Sequence, residues 1–211
     1  MKDKIEQLIS YAQSSLYFAN EAFNEIWHIT QTANTKEEYD IVAGHPFGFY
    51  SIMLQYCFIM EYTKLLDTNA SNENKNVASL LKLNESTKDF PGGVFELKYL
   101  ENKRLLNDIT NSDLYKRLKK LRNKKFGHAD NDKINDPWKI EGFAGVQIEE
   151  MRTQIGVLLK VLNNVLGAVS DANFGLHDDD STANFIRFQA KYKKYYFKNY
   201  MKAMEEGYEL R

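Results

Sequence analysis

Apolar residues recur every three or four positions from the start of the chain. Ile5, Leu8, Ile9, Ala12, Leu16, Ala19, Phe23 and Ile26 fall on one stripe, which predicts a long amphipathic helix from Asp3 to about Thr30. A polar break at Thr32 to Lys36 and a Gly44-His45-Pro46 turn follow. The next stretch, Phe47 to Asp67, is apolar on nearly every side, with Ile52, Met53, Tyr56, Ile59, Met60 and Leu65. A helix without a polar face belongs at the centre of a bundle. Thr68 to Lys75 is a polar, Asn-rich connection, after which Val77, Leu80, Leu81 and Leu83 predict a shorter helix ending before Pro91-Gly92-Gly93. That glycine pair reads as a turn, because a phosphate-cradling loop needs a preceding strand and a following Lys-Ser or Lys-Thr.

Val94 to Ile109 predicts a further helix, and Ser112 or Asp113 supplies an N-cap for a strongly basic helix after it. Asn131 to Gly145, with Pro137 and Trp138, reads as a loop. Two more helices follow, Val146 to Val169 with a core stripe of Leu158, Leu159, Val161, Leu162 and Val165, and Thr182 to Met204. No segment alternates apolar and polar residues as a half-buried strand does. The expected fold is an all-α, single-domain helical bundle of six or seven helices over residues 1–211.

Composition narrows this only a little. A chain of 211 residues can bury one sizeable core, and no Pro/Gly/Ser-rich linker divides it. The few prolines and glycines favour long helices over many-turned β structure. The single cysteine, Cys57, excludes an intrachain disulfide and thiolate metal sites, and its apolar helical setting predicts a buried structural thiol. The N-terminus lacks the apolar segment of a signal peptide, and no window approaches the roughly 20 apolar residues of a membrane span. A cytoplasmic protein away from membranes is expected.

Charge changes the picture. The net charge is −1, which argues against a histone-like mode of binding, yet Lys116, Arg117, Lys119, Lys120, Arg122, Lys124 and Lys125 are concentrated in one short run. The run ends in Arg122-Asn123-Lys124-Lys125-Phe126-Gly127-His128, which brings an arginine, an amide and an imidazole together. Arginine offers a permanently charged fork matched to phosphate oxygens, and histidine can take and give a proton near neutral pH. On an ideal helix Arg122 and His128 stand about 120° apart around the axis and roughly 9 Å along it. Gly127 could end the helix in a left-handed cap that turns His128 back toward the arginine. Alternatively the two side chains converge on a phosphate from either side, or meet their copies across a dimer. The bland alternative is a solvated basic helix end whose cations favour the negative end of the macrodipole.

The stretch Leu121 to Asp130 resembles the Arg, polar residue, short spacer, His motif of the HEPN superfamily, all-α proteins associated with ribonuclease toxins and phage defence. An apolar helix ending Glu61-Tyr62-Thr63-Lys64-Leu65-Leu66-Asp67, a polar excursion and then this motif followed by Ala-Asp look like the abortive-infection AbiU-type branch. The likeness covers about residues 47–169. It implies metal-independent RNA cleavage without a cofactor, in a cleft between two protomers of a homodimer. His128 would then be the general acid/base, Arg122 would stabilise charge on the phosphorane-like transition state, and Asn123 would orient the phosphate or the imidazole. Lys116, Lys119, Lys120, Lys124 and Lys125 would bind RNA, and Glu61 or Asp67 could support the arginine or the imidazole with a carboxylate. A toxin of this kind also implies an antitoxin or regulatory partner. One departure is the spacer of five residues between Arg122 and His128, where four is common. The alternatives are a non-catalytic module of the same fold that binds RNA or a nucleotide, and a helical protein-interaction domain.

The last helix places Arg187, Lys191, Lys194, Lys198 and Lys202 on one face, with Phe185, Phe188, Tyr192, Tyr195, Tyr196 and Tyr200 elsewhere around it. Such interleaving can track a nucleic-acid backbone and stack bases, although core or dimer packing is the commoner use. His177-Asp178-Asp179-Asp180 reads as a loop and helix cap in preference to a metal site. His28 and His45 have no partner near them in sequence.

Overall fold

In a computed structural model the described residues are 2–44, 47–67, 79–88, 93–123, 148–170 and 172–205. Among them the chain forms helices without strands: α1 (Lys2–Thr32), α2 (Lys36–Val42), α3 (Phe47–Leu65), α4 (Leu80–Glu85), α5 (Gly93–Asn111), α6 (Asp113–Leu121), α7 (Ile148–Val169) and α8 (Ser181–Glu205). The all-α architecture expected from the sequence is the one observed. The Asn131 to Gly145 segment and the Pro91-Gly92 turn lie outside the described residues. None of the described helices is long and apolar enough to cross a membrane.

The apolar stripe of α1 is buried at every position that predicted it, from Ile5 to Ile26. A helix not expected is α2, which starts at the last residue of the predicted polar break and runs toward the Gly44 turn. It buries none of its own residues, so no apolar periodicity announces it. A reciprocal capping box starts it: Thr35 Oγ1 accepts from the Glu38 N–H at 3.2 Å, and Glu38 Oε2 accepts from the Thr35 N–H at 3.0 Å.

The described chain groups into two compact units, Met1–Phe23 with Gln55–His177, and Asn24–Leu54 with Asp178–Arg211. In the first, α5 packs on α4, α6 and α7. Phe58, Ile59, Tyr62 and Leu65 of α3 are fully buried with Leu106, Leu118, Met151 and Leu158. Phe58 stacks on Tyr62 at 5.4 Å and lies against Phe23 at 6.1 Å. Asparagines tie the helices: buried Asn102 Nδ2 donates to buried Asn84 Oδ1 at 3.1 Å, and half-buried Asn164 Nδ2 donates to Asn102 Oδ1 at 2.8 Å. The centre-of-bundle expectation for α3 holds only for its second half. Met53 and Tyr56 are exposed, Ile52 and Met60 half-buried, because apolarity all round a helix does not say how far along its length neighbours cover it. Cys57 is half-buried instead of buried, on the same helix.

In the second unit α2 packs on α8, whose Ala183, Ile186 and Ala190 are buried. Lys193 pairs with Asp40 at 3.6 Å and Lys194 with Glu37 at 4.0 Å. The acidic run before α8 is the loop and cap expected of it: Asp179 Oδ1 accepts from the Ser181 N–H at 2.6 Å, and Asp180 Oδ1 accepts from Asn184 Nδ2 at 3.0 Å. Asp178 supplies the partner for His28, 3.1 Å away and far off in sequence.

Candidate functional site

A single residue, Ser112, separates the end of α5 from the start of the basic helix α6 and makes the junction. Its hydroxyl donates to the Ile109 carbonyl at 2.7 Å and accepts from the Tyr115 N–H at 3.2 Å, so one side chain closes α5 and caps α6. Gln154 of α7 reaches the same oxygen, donating from Nε2 at 3.1 Å, while Gln154 Oε1 accepts from the buried Tyr62 hydroxyl of α3. Three helices are thus held to the start of α6 by one polar chain. Burial, helped by the charge of Glu150, pushes the Tyr62 hydroxyl well above the usual tyrosine range, so it stays protonated and donating.

Leu114, Tyr115 and Leu118 are the buried face of α6. Seven residues separate Tyr115 from Arg122, two helical turns, so both lie on that side. The chain leaving α3 meets them with two consecutive residues. The Leu66 carbonyl accepts from the Tyr115 hydroxyl at 2.8 Å, and Asp67 Oδ2 lies 3.0 Å from Arg122 Nη1. The paired side chains are 18% and 16% exposed, so the ion pair is shielded far more than a surface bridge. Arg122 Nε donates to Asn123 Oδ1 at 3.3 Å. Arg122 keeps right-handed helical dihedrals as the C-cap of α6, its N–H bonded to the Leu118 and Lys119 carbonyls. Burial raises the Tyr115 hydroxyl, Asp67 adds to the rise, and Arg122 opposes it.

This geometry is a positioned guanidinium at the tip of a cationic helix. The family model HEPN_AbiU2, described as AbiU2, matches residues 2–188. The chain belongs to the AbiU2 family of the HEPN superfamily. The match takes in α1 to α7 and the first part of α8, more of the chain than the likeness over residues 47–169. No curated protein and no solved structure matches it.

Of the residues singled out in this AbiU2-family chain, the structure brings Arg122, Asn123 and Asp67 together. Glu61 instead pairs with Lys64 one turn along α3, at 3.1 Å. Lys116 and Lys120 are exposed on α6, with Lys116 3.9 Å from Asp113, and Lys119 lies over the Tyr115 ring at 5.8 Å. Lys124, Lys125 and His128 lie outside the described residues. Tyr115, Tyr62 and Gln154 went unnoticed in the sequence. The heptad spacing of Tyr115 from Arg122 was a usable signal for the first, whereas nothing local links Tyr62 to Gln154.

Proposed function

We propose that this AbiU2-family protein is a metal-independent endoribonuclease of the HEPN toxin or phage-defence type, working as a homodimer. The observation that carries the reading is the Arg122–Asp67 ion pair, which fixes a phosphate-binding group at the end of a cationic helix, six positions before a titratable imidazole. In this scheme the 2′-hydroxyl of RNA attacks the adjacent phosphorus and the 5′-oxygen leaves. His128 takes the proton from the first oxygen or delivers one to the second, and Arg122 stabilises the charge gathered on the phosphoryl oxygens between them. The products are a 2′,3′-cyclic phosphate and a 5′-hydroxyl, and DNA, lacking the nucleophile, is spared. Asn123 orients the guanidinium through its contact with Nε. An antitoxin or regulator that covers the cationic helix belongs to the same reading.

The test is incubation of purified protein with single-stranded RNA in excess chelator. Cyclic-phosphate ends are expected, with His128→Ala and Arg122→Ala each slower by roughly 10²-fold or more. Sedimentation is expected near twice the 24.6 kDa chain mass. Uncut RNA, or His128→Ala as active as the native chain, sinks the nuclease reading. The same ion pair supports a second reading, because an arginine already neutralised by a carboxylate can be a structural tie in a module that holds RNA without cutting it.

A further inference from the structure

The first turns of α3 and α8 enclose a cavity of about 550 Å³, lined by Phe47, Tyr50, Ser181, Thr182 and Phe185. All five residues belong to the second compact unit. A cavity of this size suits a small molecule. Its lining is chiefly aromatic. The Phe47 and Phe185 rings stand 6.3 Å apart, centroid to centroid, and Tyr50 is the i+3 neighbour of Phe47 on α3. Ser181, Thr182 and Phe185 share a side of α8 beside the one buried through Ala183, Ile186 and Ala190, and Phe185 remains 51% exposed.

A carboxylate backs this lining. Glu25 of α1, in the same unit, accepts through Oε2 from the Thr182 hydroxyl at 2.6 Å. Its charge also reaches the opposite wall, where burial first and Glu25 second raise the Tyr50 hydroxyl above its ordinary range. Among the described residues no cation pairs with Glu25. Arg187 lies about 160° round α8 from Phe185 and donates to Asn184. The Ser181 N–H, a natural donor to an anion, already donates to Asp179.

These features select among occupants. An anion would face the Glu25 carboxylate without a cation to answer it. A flat base fits best between parallel rings, whereas Phe47 and Phe185 are inclined by 37°. A metal ion needs several ligands at once, and among the described residues no group of three His, Cys, Asp or Glu is placed to supply them. An organic cation satisfies both the rings, which attract positive charge within about 6 Å, and the carboxylate. Alkyl groups on its nitrogen replace N–H donors that aromatic walls cannot accept.

We propose that this cavity binds a small alkylated ammonium ion, with its apolar groups against Phe47, Tyr50 and Phe185 and its charge balanced by Glu25. No residue of the Arg122 site takes part, so the assignment stands or falls separately from the ribonuclease reading.

The test is titration of the full chain with choline, which carries a trimethylammonium head, and with dimethylbutanol, its uncharged carbon isostere, followed by ligand-observed NMR. Choline is expected to bind about 10-fold or more tightly than the alcohol. Glu25→Gln keeps an acceptor for Thr182 but loses the charge, and Phe185→Leu keeps apolar bulk but loses the ring; each should weaken choline binding about 5-fold or more. Tyr50→Phe keeps the ring and should stay within about twofold. Equal affinity for choline and the alcohol overturns the proposal, as does unchanged choline binding in either Glu25→Gln or Phe185→Leu. So does an absence of choline binding at about 50 mM, or tighter binding of adenosine than of choline, which would make the cavity a nucleoside site.

Discussion

Arg122 Nη1 lies 3.0 Å from Asp67 Oδ2, which ties the tip of α6 to the residue just beyond α3, and both side chains are largely shielded from water. A carboxylate that compensates a shielded guanidinium cannot be removed without cost. Asp67→Asn is expected to destabilise the fold by about 1–3 kcal/mol in urea unfolding, below the range for a fully buried pair. Arg122→Lys retains a charge for Asp67 but loses the planar fork that matches a phosphate. Stability close to native with cleavage as low as in Arg122→Ala is therefore expected. Native cleavage by Arg122→Lys would show that the fork is not used.

The chain from Tyr62 through Gln154 to Ser112 makes a second, sharper test. Gln154→Leu strands the buried Tyr62 hydroxyl and is expected to cost about 1–3 kcal/mol. Adding Tyr62→Phe removes the stranded group and should recover part of that loss. Strictly additive losses in thermal melts would mean that the two side chains do not act together.

The same hydroxyl sets the alkaline limit. Tyr62 and Tyr115 both titrate above the ordinary value of 10.0, because burial disfavours their anions. A pKa raised on folding contributes stability that is complete below the unfolded value and is lost as pH climbs through the folded one. Unfolding free energy should thus fall above about pH 10. Tyr62 should ionise with unfolding and not before it, by tyrosinate absorbance, and Tyr62→Phe should flatten the decline.

On the acid side the relevant group is Glu101, held below the ordinary carboxylate value of 4.5 mainly by its 2.6 Å contact with Lys160. A depressed pKa contributes stability present above the unfolded value and lost as pH falls through the folded one. Lys160→Met should therefore lower stability at neutral pH and leave it nearly unchanged once Glu101 is protonated in both variants. An equal loss at both pH values would refute the assignment.

Charge reversal at Lys119 and Lys120 should weaken RNA binding across unrelated sequences and reduce the slope of log affinity against log salt by roughly one per lost phosphate contact. A sequence-dependent loss would place base contacts on α6 instead.

Most of the helical frame was legible because it rests on periodicity. The stripe from Ile5 to Ile26 and the run Leu158, Val161, Leu162 and Val165 each report a buried face and were found buried, while Leu159 of the second run is half-buried. Illegible were features that depend on neighbours: α2, which buries nothing, the exposed first half of α3, and the pairing of His28 with Asp178. The arginine and its carboxylate could be nominated from their places at two helix ends. Preferring Asp67 over Glu61 required knowing that the chain leaving α3 turns toward the tip of α6, and no local pattern encodes that.

The one-residue junction at Ser112 makes α6 a lever arm. Nine helical residues span about 14 Å, so a swing of roughly 10° at the serine carries the far end through about 2 Å. Displacements of about 1 Å already cost an aligned reaction some two orders of magnitude. The aim of Arg122 is thus set from both ends of its helix, by the Asp67 carboxylate at the tip and by a hydroxyl and an amide at the start that lie more than two turns away from the guanidinium.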